Sequence, residues 1–63
     1  MDMQGFVEFL RRVGYEADME NGIPTVFVSE PEEVKYVVKD VKSLAKRMGY
    51  IYSFFVKKKE VQE

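Results

Sequence analysis

The chain is expected to fold as a single α+β domain in the order α-β-β-α-β, with two helices packed on one face of a three-stranded mixed sheet. Three observations lead there. Apolar residues recur at helical spacing near positions 2–13 and 31–48, an Asn-Gly pair separates two strand-like runs, and an apolar, aromatic run closes the chain. The length of 63 residues leaves room for one domain only, spanning 1–63, of a size that buries roughly 60% of its unfolded surface.

In the first helix, Met3, Phe6, Val7, Leu10 and Val13 fall on one side, and Gly14 ends it. The next segment, "YEADME", sets Tyr15, Ala17 and Met19 against Glu16, Asp18 and Glu20, one face apolar and the other acidic, as in a half-buried edge strand. Asn21-Gly22 tolerates the positive φ of a tight turn, so this strand and "TVFVS" should form a hairpin. Pro24, lacking a donor, belongs at the start of the second strand.

Ser29-Glu30-Pro31-Glu32 has the form of a capping box, with the Ser29 hydroxyl accepting a backbone N–H, Glu32 reaching back and proline in the first turn. Val34, Val37, Val38, Val41, Leu44, Ala45 and Met48 then make one apolar stripe, closed by Gly49. Valine is a poor helix former, so the spacing and caps must outweigh propensity here. Tyr50 to Lys57 completes the chain as a strand. The stretches "LRRVGY" and "AKRMGY" echo one another, each a basic helix end followed by an apolar residue, glycine and tyrosine. This order of elements resembles a ferredoxin-like split βαβ fold without its first strand, a likeness that carries no function. A right-handed crossover through the long helix would set the last strand parallel to the middle one, in the order first, second, third.

Composition excludes several kinds of chemistry. With neither cysteine nor histidine there is no disulfide, thiolate nucleophile, imidazole base or common zinc site. No cofactor or small-molecule substrate is inferred. The longest apolar runs are too short for a spanning helix, and "MDMQGF" lacks the character of a secretory signal, so the expected location is cytoplasmic, without a membrane. Few Asn and Gln against 33% charged residues is a balance also found in proteins of hot environments. Catalysis ranks last: Asp18, Asp40 and the glutamates have no positioned nucleophile beside them, and Ser29 already serves a cap.

Three features remain as candidate sites. Lys35, Lys39, Lys42 and Lys46 line one flank of the long helix, where they could follow a phosphate backbone; the plainer account is a solvated flank covering the core edge. Lys57 to Lys59 should approach Arg11 and Arg12, with Glu30, Glu32 and Glu33 at the same end to answer them; net charge −1 argues against a general polyanion binder. The third is the aromatic last strand. With the acidic set of the first strand in solvent, Thr25, Phe27, Tyr50, Tyr52 and Phe54 would share the outer sheet face while Val26, Val28, Ile51 and Phe55 face the helices. The other register buries Tyr52 and Phe54 and exposes Ile51 and Phe55.

The function expected from these features is a small non-catalytic interaction domain that meets a protein partner, most simply a second copy, through Phe27, Tyr50, Tyr52 and Phe54. The alternative is a single-stranded RNA or DNA binder using Lys35, Lys39, Lys42, Lys46 and Tyr52, although the Gly-aromatic pattern of RNA recognition modules is missing.

Overall fold

In the computed structural model, which describes residues 1–60, α1 spans Met3–Val13, β1 Glu16–Glu20, β2 Ile23–Val28, α2 Val34–Met48 and β3 Phe55–Lys58. A single 3-10 turn, Pro31–Glu33, leads into α2. The sheet has the order β1-β2-β3, with β1 antiparallel and β3 parallel to the central strand. Both helices pack on one face, α1 over β1 and β2 and α2 over β3. The α+β fold and its mixed sheet are therefore as the sequence predicts.

Local chemistry explains the element ends. The Asp2 carboxylate accepts the Gly5 N–H at 2.7 Å and caps α1. Both helices stop in the same way. Gly14 and Gly49 take φ of +121° and +72°, the Tyr15 N–H returns to the Leu10 carbonyl at 3.0 Å, and the Tyr50 N–H returns to the Ala45 carbonyl at 2.9 Å. This is a Schellman closure, in which the residue after the glycine is turned back toward the helix and meets its apolar side. The repeated Gly-Tyr is thus a repeated cap that sends a tyrosine ring inward. Between β1 and β2, Asn21 and Gly22 have φ of +53° and +78°, the two positive values that a tight hairpin turn needs.

The capping box lies one residue later than the sequence predicts. Glu33 accepts the Glu30 N–H at 2.9 Å, and Ser29 is exposed with no cap bond. A glutamate reaches back as far as a serine-based box requires, and Pro31 fits the first turn either way.

Phe6 stands at the centre of the core, fully buried with Val7, Leu10, Val26 and Val41, and its ring lies parallel to that of Tyr50 with centroids 4.0 Å apart. Ala17 and Val26 are cross-strand partners, as are Val26 and Val56, so these three share the inner face. The long helix buries less than its stripe suggests. Val41 and Ala45 are buried, Val37 and Leu44 partly so, and Val38 and Met48 are exposed. Below α2 the sheet ends in a strand of four residues, which is too little surface to cover the whole stripe.

Candidate functional site

The last strand departs most from expectation. It begins at Phe55 rather than Tyr50, because the Gly49 cap turns Tyr50 into the core before pairing with β2 can start. The Tyr50 hydroxyl donates to the Ser53 carbonyl at 2.6 Å, which folds residues 50–54 into a short non-strand connection. Of the four residues expected to form an outer aromatic face, two are elsewhere. Tyr50 is buried, and Phe54 packs on the core with its ring 6.4 Å from that of Phe6. Phe27 is on the outer face as expected, and Tyr52 is half exposed in the connection. Ile51 and Phe55, which face the helices in one of the two registers and solvent in the other, point outward; Ile51 is 83% exposed and Phe55 56%. The placement agrees with the second register at Ile51, Phe54 and Phe55 and departs from it at Tyr52, which stays half exposed. A strand alternates its side chains, whereas residues 50–54 are not a strand and each is placed by its own contacts.

On the outer face the register pairs Glu16 with Phe27 and Phe27 with Lys57, and pairs Asp18 with Thr25 and Thr25 with Phe55. The charges meet across Phe27. Lys59 reaches Glu16 at 2.6 Å, Lys57 reaches Glu20, and the Lys57 ammonium lies 5.8 Å from the Phe27 ring centroid. The Glu20 hydrogen bond holds the Lys57 pKa above its ordinary value, the carboxylate charge adding to the effect. Arg11 lies at the β1 edge, its Nε donating to the Ala17 carbonyl at 2.8 Å and its guanidinium 3.2 Å from Asp18. The carboxylates that answer the basic end of the chain are therefore those of β1. Glu30, Glu32 and Glu33 form no ion pair among the described residues. Flanked by these pairs, Phe27 is only partly exposed, and the outer face is a mixed and largely neutralised surface.

A more open feature lies beside the second half of α2. A groove of about 400 Å³ runs between this helix and residues 50–54. Ala45 and Gly49 floor it with almost no side chain, Lys42 and Lys46 stand along the helix wall, and Ile51 and Tyr52 form the opposite wall. Phe54 and Tyr50 close it toward the core, with the Tyr52 ring edge-on to Tyr50 at 5.7 Å. The structure brings Lys42, Lys46 and Tyr52 together at one groove. It does not bring Lys35 and Lys39 there; Lys35 lies 5.2 Å from the exposed Tyr36 ring instead. The small-residue floor at Ala45 and Gly49 is absent from the sequence expectations, and of the two registers only the second exposes Ile51. The available signal was the Gly-Tyr cap, since a tyrosine turned inward after Gly49 puts its successor outside.

Among the described residues no group of three or more acidic side chains is placed to hold a metal ion, and no helix is long and apolar enough to cross a membrane. No protein-family model, curated protein or solved structure matches the chain.

Proposed function

We propose that this is a small non-catalytic protein-contact domain that self-associates through the apolar surface at Ile51, Tyr52 and Phe55. The observation that carries the reading is the exposure of these three large side chains, each more than half open to solvent, within five consecutive residues of a chain that otherwise builds an ordered core. Apolar exposure concentrated in this way is what protein interfaces use. Tyrosine adds area while its hydroxyl remains compatible with water in the free chain. The contact is thus centred on residues 51–55, with Ile51 and Tyr52 beside α2 and Phe55 at the edge of the outer sheet face, and not on Phe27, which ion pairs flank.

Sedimentation over a wide concentration range tests the proposal. Self-association that Ile51→Glu or Tyr52→Glu abolishes, with unchanged far-ultraviolet circular dichroism, is the expected result. A wild-type chain that remains monomeric at millimolar concentration overturns self-association.

A second reading is favoured by one specific juxtaposition, Lys42 and Lys46 facing Tyr52 across the groove. Paired ammonium groups and an aromatic ring are the parts with which single strands are held. In that case an oligothymidylate should bind in low salt, and Tyr52→Ala should cost about 1 to 3 kcal/mol. The aliphatic Ile51 as the most exposed wall residue, with no base-reading amide or guanidinium among the described residues that line the groove, favours a protein partner.

A further inference from the structure

The self-association reading leaves open which part of a second copy meets the groove, and the charge pattern of α2 supplies an answer. Glu32, Tyr36, Lys39, Lys42 and Lys46 recur at helical spacing along one exposed flank. Glu32, in the 3-10 turn that leads into α2, and Tyr36 with Lys35 beside it stand at the start of the flank, and Lys42 and Lys46 at its end. Glu32 and Lys46 are equally distant from Lys39 along the chain, and so are Tyr36 and Lys42. None of the charged members has an ion-pair partner among the described residues. Tyr36, 64% exposed, makes no core contact to explain so large an apolar ring on the surface.

We infer that two copies dock through antiparallel α2 helices about a two-fold axis near Lys39, so that Glu32 and Tyr36 of each copy meet Lys46 and Lys42 of the other. The inference rests on the self-association proposed above. An isologous contact requires that a residue and its mate exchange places under the two-fold, and the spacing about Lys39 meets that condition. Tyr36 of the second copy then comes to the mouth of the groove, over Lys42 and against the Ile51–Tyr52 wall, which gives the groove an apolar occupant with a carboxylate beside it. The helix dipoles also run in opposite directions in this arrangement. Lys39 meets its own mate at the axis, where its long stem lets the two ammonium groups stay in solvent. The competing route, edge-to-edge pairing through β3, is limited by the four-residue length of that strand and by the lysines at its end.

The arrangement is tested by charge swapping in the intact chain, with association read by sedimentation and folding by circular dichroism. Lys46→Glu alone and Glu32→Lys alone each set like charges opposite one another twice, and each should weaken self-association about tenfold or more. An equimolar mixture of the two variants restores both opposite-charge pairs and should recover the wild-type mass, as should the chain carrying both substitutions. If the wild type self-associates but neither charge variant weakens it, or if mixing restores nothing, the antiparallel docking is wrong. In that case loss of association in Ile51→Glu still supports the contact surface. A wild type that is monomeric throughout overturns both.

Discussion

The Phe6 and Tyr50 rings are parallel to within 6° with centroids 4.0 Å apart, joining the middle of α1 to the residue that leaves α2. That stack converts the end of a helix into part of the core, and it explains why the following residues cannot begin a strand. Truncating Tyr50→Ala should cost about 3 to 5 kcal/mol, as for other buried aromatics. Tyr50→Phe keeps the stack and removes only the bond to the Ser53 carbonyl, so about 1 kcal/mol is expected. Urea unfolding of both variants separates the two contributions.

Phe54 and Tyr52 should respond differently to the same substitution. Phe54→Glu would place a charge against the core that Phe54 now covers, and should unfold or strongly destabilise the domain. Tyr52→Glu changes a half-exposed side chain and should leave the melting temperature nearly unchanged. Thermal melts followed by circular dichroism check the contrast. Equal losses would show that Tyr52 is part of the core.

Gly49→Val and Gly14→Val should each cost about 1 kcal/mol or more, because a side chain disfavours their positive φ. An added Cβ would meet nothing within 4 Å at either site, so the cost is one of backbone conformation and not of crowding. Replacement by D-alanine, which favours positive φ, should therefore be tolerated in a synthetic chain.

Arg11→Ala should destabilise by about 1 kcal/mol through loss of the bond to the Ala17 carbonyl, while Asp18→Ala should be close to neutral. The Arg11–Asp18 pair is solvent-exposed, and exposed pairs contribute little. Chemical denaturation of the two single variants and the double variant distinguishes the backbone bond from the ion pair.

Alkaline solution should destabilise the fold. Burial, with the Asp40 charge as a smaller cause, raises the Tyr15 pKa; burial, with Tyr52 nearby, raises that of Tyr50; and the Glu20 hydrogen bond raises that of Lys57. At each site the folded chain holds its proton more tightly than the unfolded chain. The resulting stabilisation is complete below the unfolded values near 10 and is lost as pH rises through the raised folded values. Melting temperature should thus fall above about pH 10, and Tyr50→Phe should flatten that fall.

Most of the secondary structure could be read directly from the residues. Helical spacing and the glycines that precede Tyr15 and Tyr50 delimit both helices, and Asn21-Gly22 between alternating runs specifies the hairpin, because each feature acts within a few residues of chain. The capping box was off by one residue since two adjacent polar residues can each begin a turn at Pro31. What tertiary structure decided is the fate of Tyr50 to Phe55. Locally this run has strand composition, but burying the Tyr50 ring on Phe6 competes with extended pairing, and the stack with its Ser53 bond prevails. That single outcome sends Ile51 outward, brings Phe54 onto the core and opens the groove beside Lys42 and Lys46. No periodicity within residues 50–55 encodes it, because the deciding contact is made with α1, at the other end of the chain.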